Sequence, residues 1–290
     1  MLGFRPDVPF SCPPGGISLQ VLRRFQNFNS FQGEEAMTYS GAIGVVGGVG
    51  PYAGLDLVRK IFDQTIADRD QQHLPVMLFS FPGEIADRPA FLLQNAPENP
   101  GEAIGDIMVR LARAGATVIG IPCNTAHSPR ILGPALEKLF AFDRSIRFVH
   151  MIDSVTQYIQ RNCRNVSRIG LLSTKATLET RLYQDSLEKA GLVCVFPDVT
   201  GREAVQDAIS NHEYGIKACS NPVTERAREN LAEQARRLVQ EQGAQAVILG
   251  CTEIPLALPE RELFGVPLID ATFILAGELV QAFAPEKWKA

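Results

Sequence analysis

Two cysteines stand at matching places in the chain, and their surroundings favour reactive thiolates. Cys123 lies in the run Pro122–His127 and Cys251 lies in the run Gly250–Pro255, each directly after a short apolar segment. Each cysteine therefore stands where a predicted strand ends and a predicted helix begins. The partial positive charge and unpaired N–H groups of a helix N-terminus favour a thiolate and lower the pKa of a cysteine there. A single cysteine is more often a small buried apolar residue, so it is the repetition that favours a catalytic pair.

Polar residues next to both cysteines are candidates for holding a substrate or adjusting the thiols. Asn124, Thr125 and Thr252 can cap a helix or donate hydrogen bonds to a bound carboxylate. His127 follows the first cysteine by one helical turn, so it either tunes that thiol or is a packed or capping histidine. Glu253 either orients or protonates the second thiol, or only favours the start of a helix.

The same residues do not predict a metal site. A zinc site could use both cysteines and His127, but a single histidine and the lack of a Cys-x-x-Cys pair match zinc-ligand spacing poorly. We therefore expect no metal ion. Cys194 lies in an apolar run and is predicted to be a core residue, and the remaining cysteines, Cys12, Cys163 and Cys219, have no partner feature.

Short apolar strands alternate with helices from residue 40 onward, and this alternation positions the cysteines. The pattern predicts strands at Ala42–Val46, Val76–Phe81 and Thr117–Ile121, and helices at Tyr52–Ala67 and Ala103–Ala114. Uniformly apolar strands that alternate with helices are typical of parallel sheets covered on both faces. The predicted fold class is therefore α/β.

The pattern occurs twice along the chain. The apolar run 43–46 recurs as 169–172, and in each copy the cysteine follows at nearly the same distance. A further pair, Ile152–Ser154 and Ile269–Thr272, is predicted to close a strand and open a helix in each copy. These pairs predict two pseudo-symmetric, doubly wound parallel-sheet domains, each covering its own sheet. Ligands bind at the carboxyl ends of such strands, so the active site is expected in the cleft between the domains.

The domain boundaries follow from the repeat. Residues 40–147 together with 268–290 are assigned to the first domain, and residues 148–267 to the second. Residues 1–38 are rich in turn-forming residues and have no counterpart in the repeat, so they are predicted to be a disordered N-terminal extension. Met37 stands just before the first strand and is an alternative translation start.

A glycine-rich loop, Gly48–Ala53, follows the first strand and fits the loose form Gly-x-Gly-x-x-Ala. A dinucleotide site would require an acidic residue at the end of the next strand, and residues 79–82 hold none. Val49 and Gly50 therefore either bring the backbone close to a small anion or form a plain tight turn. The sequence is compatible with both.

Composition excludes several classes of protein. The chain has 290 residues, a formal net charge of −4 and 46% hydrophobic residues. A nucleic-acid-binding protein would have a basic excess, and a membrane-surface protein a polybasic segment. The apolar stretches are too short to span a bilayer, and no secretory signal is recognisable. Six cysteines are too few for a disulfide scaffold of this length. These features predict a cytoplasmic protein that binds neither nucleic acid nor membrane.

Several of these motifs together resemble the aspartate/glutamate racemase superfamily, most closely its aspartate racemase branch. The resemblance extends from about Ala42 to Phe283, and the two cysteine runs are its most specific marks. The other marks are the loop Gly47–Pro51, the pair Asp87-Arg88 and the run Tyr214–Lys217. The resemblance implies a reaction that uses two cysteines without pyridoxal phosphate or a metal ion.

The resemblance also implies that an arginine and a lysine hold the substrate carboxylates. Arg88 and Lys217 stand at the matching positions. Two departures concern the loop side of the pocket, because Val49 and Gly54 stand where family members often have methionine and threonine. We therefore expect the residues on the loop side of the pocket to influence which amino acid is preferred.

Together, the residues and the resemblance predict a racemase in which one cysteine removes the Cα proton and the other returns a proton to the opposite face. The expected substrate is a small dicarboxylic amino acid, aspartate first, with glutamate or another acidic or polar amino acid as further candidates. The expected assembly is a homodimer. The alternatives are a hydantoin racemase or maleate isomerase type of reaction, or a non-enzymatic protein that binds a small ligand.

Overall fold

The computed structural model describes residues 39–289, in which strands and helices alternate almost throughout. The predicted N-terminal extension and Met37 lie outside the described residues. Among the helices of residues 39–289, none is both long enough and apolar enough to cross a membrane.

The first half of the described chain forms a four-stranded parallel sheet. Its elements are β1 (Ala42–Gly47), α1 (Pro51–Asp63), a 3₁₀ turn (Asp70–Gln72), β2 (Val76–Ser80), a 3₁₀ turn (Pro82–Glu84), α2 (Arg88–Gln94), α3 (Pro100–Arg113), β3 (Ala116–Gly120), a 3₁₀ turn (Thr125–His127), α4 (Pro129–Phe142), β4 (Arg147–Val149) and α5 (Met151–Asn162). The strand order is β2-β1-β3-β4. In the register of the sheet, Val45 of β1 lies between Leu78 of β2 and Gly120 of β3.

The second half forms a five-stranded sheet. Its elements are β5 (Arg168–Ser173), α6 (Lys175–Glu179), α7 (Leu182–Lys189), β6 (Val193–Val195), α8 (Val199–Ser210), α9 (Glu225–Gln240), β7 (Ala246–Gly250), α10 (Ile254–Ala257), β8 (Glu262–Leu263), β9 (Val266–Asp270), α11 (Ala271–Phe283) and a 3₁₀ turn (Pro285–Lys287). The strand order is β6-β5-β7-β9-β8, in which only the edge strand β8 is antiparallel to its neighbour.

The two sheets share one topology. Without the edge strand β8, each sheet places the second strand of its half at the edge, followed by the first, third and fourth. Strands β3 and β7, which precede Cys123 and Cys251, occupy the same inner position. The predicted α/β fold of two pseudo-symmetric parallel sheets is therefore confirmed. The domain boundaries remain a prediction: β9 pairs within the second sheet, whereas α11 packs on α1 and α5.

One cluster of buried residues joins the two sheets. It contains Ile43 and Val45 of the first sheet, Ile169 and Leu171 of the second, and the apolar faces of α1, α5, α7 and α11. Separate clusters cover the outer faces, with α3 and α4 on the first sheet and α8 and α9 on the second. The expectation that each copy covers its own sheet is thus correct for the outer faces and wrong for the inner ones. Alternate residues of each strand point inward, and the two inner faces bury their residues in one common layer.

Local hydrogen bonds explain where the predicted helices differ from the observed ones. The helix predicted from Ala103 begins at Pro100, because the side chain of Asn99 accepts the Gly101 N–H at 2.9 Å. The helix predicted to reach Ala67 ends at Asp63. Beyond its end, Thr65 forms an isolated antiparallel bridge with Trp288.

The third pair of the repeat is confirmed in one copy only. Asp270 ends β9, and its carboxylate caps α11 by accepting the N–H groups of Thr272 and Phe273 at 2.9 and 3.0 Å. The predicted counterpart, residues 152–154, is wrong as a strand end because it lies inside α5. Strand β4 has already ended at Val149, and His150 caps α5 in place of an aspartate.

Candidate active site

A cavity that opens to solvent lies beyond the carboxyl ends of the four central strands β1, β3, β5 and β7, and its empty space, open solvent included, is about 330 Å³. Its lining comes from both halves of the chain: Val49, Arg88, Pro89, Cys123, Asn124, Thr125, Thr174, Thr177, Lys217, Gly250, Cys251, Thr252 and Glu253. This edge is where open parallel sheets bind their ligands. Of the predicted site residues, Gly50 and His127 lie outside the lining.

Cys123 stands in the segment between β3 and the 3₁₀ turn that begins at Thr125. Its thiol is buried, and Sγ lies 3.3 Å from the hydroxyl oxygen of Thr125. The backbone N–H of Cys123 donates to the carbonyl of Ile121 at 2.9 Å, which fixes the turn that carries the thiol. Thr125 is therefore the side chain best placed to adjust the first thiol directly.

Cys251 follows β7 directly, and its thiol donates a hydrogen bond to Oε2 of Glu253 at 2.9 Å. Burial, followed by the negative charge of Glu253, raises the pKa of Cys251 well above its usual value. The positive charge of Lys217 acts in the opposite direction without cancelling this. Cys251 is accordingly a thiol.

The expectation that a helix N-terminus lowers the pKa of each cysteine is therefore wrong for Cys251. The helix after it, α10, has only four residues, so few aligned peptide dipoles point at the thiol. Burial of the thiol is the largest cause of the raised pKa, and the carboxylate of Glu253 at hydrogen-bond distance adds to it. Together they outweigh the few helix dipoles.

Glu253 is itself buried, and it packs against the glycine-rich loop of the first half. A Cβ atom at Gly50 would collide with Oε1 of Glu253, so any side chain at this position would require the Glu253 carboxylate to move. The carboxylate of Glu253 also contacts a hydroxyl group, since Oγ1 of Thr252 lies 3.4 Å from its Oε2. The carboxylate of Glu253 thus lies between the glycine-rich loop on one side and the thiol of Cys251 on the other.

The loop after β1 is shaped by a second glycine. Gly48 has φ 83°, and a Cβ there would lie 2.8 Å from the backbone nitrogen of Phe81. The loop therefore turns sharply against the segment after β2, and Val49 is left as the loop residue that lines the cavity. Of the two interpretations of this loop, the tight turn is present, and a bound anion at Val49 stays a prediction.

His127 lies behind the first cysteine and does not contact its thiol. Nδ1 bonds to the carbonyl oxygen of Cys123 at 2.9 Å, and Nε2 accepts the N–H of Met151 at 3.2 Å. Burial, followed by the charge of His150, lowers the pKa of His127 to about 3, so the ring is neutral. With Nδ1 as donor and Nε2 as acceptor, both nitrogens serve the backbone, and neither is left for a metal ion. Within residues 39–289, no group of three or more His, Cys, Asp or Glu side chains is placed to hold one.

Asn124 and Thr252 each make a hydrogen bond to the other half of the chain. Oδ1 of Asn124 accepts from the hydroxyl of Tyr183 on α7 at 2.7 Å. The hydroxyl of Thr252 donates to the carbonyl of Pro122 at 3.1 Å. Nδ2 of Asn124 is buried and has no hydrogen-bond partner among residues 39–289. Since the residue lines the cavity, these N–H groups are donors available to a ligand.

Arg88 is the first residue of α2, whose start is fixed by Asp87 accepting the Ala90 N–H at 2.7 Å. One end of its guanidinium, Nη2, donates to the carbonyl of Val49. Its Nε is buried without a partner in the described part of the chain. The carbonyl holds the guanidinium against the loop after β1 and leaves further donors for a carboxylate.

Lys217 reaches the cavity from the segment after α8, where its backbone N–H donates to the carbonyl of Ile209 at 3.0 Å. The residue is exposed overall. Arg88 and Lys217 come from different halves and are the two cationic side chains of the lining.

Sequence reasoning missed four residues of the lining as ligand contacts: Pro89, Thr174, Thr177 and Gly250. A usable signal existed for Thr174. It follows β5 directly, as Gly48 and Val49 follow β1, so the repeat itself placed it at the ligand-binding edge. The free cysteines Cys163, Cys194 and Cys219 lie outside the lining, and Cys194 packs against the cluster shared by the two sheets. Cys12 lies outside the described residues.

A family model described as Asp/Glu/Hydantoin racemase matches residues 46–279. The chain belongs to this family. Members of the family are racemases, and the chain is accordingly an amino-acid racemase, which is an isomerase. The alternative of a non-enzymatic ligand-binding protein is thereby set aside.

Known proteins agree with this assignment. The chain is similar to the broad specificity amino-acid racemase RacX of Bacillus subtilis, with 24% identity over 83% of this chain and 97% of the relative. The structure resembles an aspartate racemase of Picrophilus torridus, with a TM-score of 0.69 and 28% identity over 83% of this chain and 94% of the other. An aspartate racemase homologue of Pyrococcus horikoshii shares the fold, with a TM-score of 0.64 and 24% identity over 84% of this chain and 99% of the other.

Proposed function

We propose that this racemase acts on an acidic amino acid, aspartate first, and moves the Cα proton by means of Cys123 and Cys251 without a cofactor. The observation that carries the proposal is that both thiols line one cavity, one after β3 of the first sheet and the other after β7 of the second. Because the thiols come from the two halves of a repeated unit, they are expected to approach one carbon from opposite faces.

The chemistry requires one base and one acid on opposite faces of the substrate. In one direction, the thiolate of Cys123 takes the Cα proton, and the electron pair of the broken C–H bond is delocalised into the α-carboxylate. The thiol of Cys251 then gives its proton to the other face and becomes a thiolate. The reverse reaction starts from this second form, so protons and electrons balance. A well-placed acid or base of this kind typically contributes about 10²–10⁴-fold to the rate.

The hydrogen bond between Cys251 and Glu253 supports the donor role of Cys251 in that direction. Because Cys251 has a raised pKa, it is protonated before the substrate binds. Once it has given up its proton, the negative charge of Glu253 disfavours the thiolate and promotes reprotonation. Lys217 opposes this effect, so the two charges together set how readily the proton moves.

The remaining polar residues fit a dicarboxylate. Negative charge grows on the α-carboxylate as the proton leaves, and preorganised donors stabilise that charge. Asn124, Thr125 and Thr252 are the proposed donors. Arg88 is proposed to hold the distal carboxylate with two parallel hydrogen bonds, and Lys217 to add the second positive charge that a dianionic substrate needs.

The direct test is the exchange of the Cα hydrogen in heavy water, followed by proton NMR, with chiral chromatography of the products. The panel contains L- and D-aspartate, glutamate and asparagine, together with a substituted hydantoin and maleate for the related reactions. We expect exchange and racemisation to be fastest with aspartate, after dialysis against a chelator and without added pyridoxal phosphate. Activity that depends on added pyridoxal phosphate or zinc would overturn the mechanism. A preference for the hydantoin or maleate over every amino acid would overturn the substrate.

A further inference from the structure

Tyr183 contacts the candidate active site from behind, and the proposed reaction assigns it no part. The side chain is completely buried in the cluster that joins the two sheets. Its hydroxyl donates to Oδ1 of Asn124 at 2.7 Å, and this is a contact between α7 of the second half and the first cysteine run. Burial, followed by the charge of Asp270, raises the pKa of Tyr183, so the phenol keeps its proton and stays a donor.

The two ends of an asparagine amide have nearly the same shape but opposite hydrogen-bonding character. A fixed donor on one side therefore decides which end faces it. The Tyr183 hydroxyl is satisfied by the oxygen of Asn124, which turns the NH₂ group away from Tyr183. That NH₂ group is buried and without a partner among residues 39–289, on a residue that lines the cavity.

We propose that Tyr183 is a positioning residue that holds the Asn124 amide with its NH₂ group directed to the substrate carboxylate. In the opposite orientation, the amide oxygen would face the carboxylate and repel it. The substrate part of this inference rests on the function proposed above, whereas the orientation of the amide does not. Tyr183 acts only through Asn124 and touches no reacting atom.

A second hydrogen bond between the halves also fixes the position of the first cysteine run. The hydroxyl of Thr252, in the second cysteine run, donates to the carbonyl of Pro122, which precedes Cys123. The first cysteine run thus accepts hydrogen bonds from two hydroxyl groups of the second half, those of Tyr183 and Thr252. The relative placement of the donors is therefore set by buried hydrogen bonds rather than by either sheet alone.

The kinetic test is a double-mutant cycle of Tyr183→Phe and Asn124→Ala, measured with the amino acid that the wild type racemises best. Phenylalanine removes only the hydroxyl group. We expect kcat/KM to fall about tenfold, the effect typical of losing one buried hydrogen bond, and kcat to fall more than KM rises because the carboxylate charge grows in the transition state. In the Asn124→Ala background, the same change should have no further effect. Tyr158→Phe, on a half-buried tyrosine of α5 away from the cavity, is the matched control and should keep the wild-type rate.

Three results overturn the inference, two from this cycle and one from a further variant. The first is a Tyr183→Phe enzyme with wild-type kcat/KM. The second is a loss that persists in full in the Asn124→Ala background, because Tyr183 would then act on the fold and not through the amide. The third result is full activity in Asn124→Asp, a variant that keeps an acceptor for Tyr183 but removes the N–H donors. This variant is expected to fold and to lose activity, and full activity in it contradicts the inference even if Tyr183→Phe does not fold.

A measurement without turnover separates this inference from the proposed function. The side-chain ¹⁵NH₂ signal of Asn124 is assigned by its loss in Asn124→Ala, and its order parameter is measured in the wild type and in Tyr183→Phe. We expect a clear decrease in Tyr183→Phe and none in Tyr158→Phe. If the wild type racemises no acidic amino acid while the decrease is found, the proposed function fails and the positioning role stands. An unchanged order parameter overturns the positioning role whatever the activity.

Discussion

The thiol of Cys251 donates a hydrogen bond to the carboxylate of Glu253 across 2.9 Å. At the equivalent place in the other half, the thiol of Cys123 lies 3.3 Å from the hydroxyl of Thr125. Two residues after the cysteine, the chain thus carries a carboxylate in one copy and a hydroxyl in the other. The two thiols are therefore chemically different, although the strands that precede them hold the same place in their sheets.

Exchanging each cysteine for serine tests the two-base scheme. Cys123→Ser and Cys251→Ser should each abolish racemisation, because a hydroxyl is a poor base at neutral pH and a poor acid toward a carbanion. Each variant keeps one thiol on one face of the substrate. We expect slow exchange of the Cα hydrogen with deuterium for one enantiomer only, and for opposite enantiomers in the two variants. Proton NMR in heavy water measures both rates.

Cys163→Ser is the control for this pair, because Cys163 lies outside the cavity. It should retain wild-type activity. If both active-site variants exchange the same enantiomer, the thiols approach from one face and the two-base scheme is wrong. If either variant racemises at the wild-type rate, that cysteine has no part in the reaction.

Glu253→Gln should lower the pKa of Cys251. Burial and the negative charge of Glu253 both raise this pKa, and glutamine removes the charge while leaving the burial. The pH at which the thiolate forms should therefore move downward. The measurement is the pH dependence of Cys251 alkylation by iodoacetamide in a Cys123→Ser background, with the exposed Glu262→Gln as a control. An alkylation profile that stays in place or moves to higher pH would show that the carboxylate does not govern this thiol.

Arg88→Lys should weaken the use of aspartate far more than it affects stability. Lysine keeps the charge, but it cannot hold the carbonyl of Val49 and a carboxylate at once with a planar fork. Charge-assisted hydrogen bonds of this type are worth about 1.5–3 kcal/mol, so we expect kcat/KM to fall about 10–100-fold with little change in Tm. Arg236→Lys, on the partly exposed face of α9, serves as a control for the substitution. Unchanged kcat/KM for aspartate in Arg88→Lys would mean that the distal carboxylate is bound elsewhere.

His127→Gln should make the protein less sensitive to acid. The pKa of His127 is about 3 in the folded protein, against a usual value of 6.5. Between these values the unfolded chain binds a proton that the folded protein does not. The free energy of unfolding therefore falls as the pH drops from 6.5 toward 3, by at most about 1.4 kcal/mol per pH unit from this residue. Urea unfolding at several pH values should give a shallower dependence in His127→Gln, whereas the exposed His212→Gln should keep the wild-type dependence.

Much of the site could be predicted because its signals are local. The cysteine runs, Arg88 and Lys217 are recognisable from neighbouring residues, and the repeat placed both cysteines at the ends of equivalent strands. The structure brings these residues into one lining. Their roles remain predictions, as do the homodimer and the cytoplasmic location.

Other features depend on tertiary contacts that no short run of sequence encodes. Tyr183 is far from Asn124 in the chain, and only the packing of α7 beneath the first cysteine run brings the two together. The raised pKa of Cys251 arises from burial, which the motif itself does not specify. The close approach of Gly50 to Glu253 likewise joins residues of opposite halves. The common core of the two sheets was missed because the period of the apolar residues indicates a buried face but not its partner.

The joining of both halves in one polypeptide has a consequence for symmetry. Two identical chains that paired through the same inner faces would be related by a twofold axis, and their two thiols would be equivalent in every neighbour. A single chain that carries both copies has no such constraint, so a substitution in one copy leaves the other unchanged. Thr125 in one copy and Glu253 in the other, each two residues after its cysteine, differ in this way. The substrate is likewise chiral, with different groups on each side of its carbon, and an asymmetric pair of thiols can match those two sides separately.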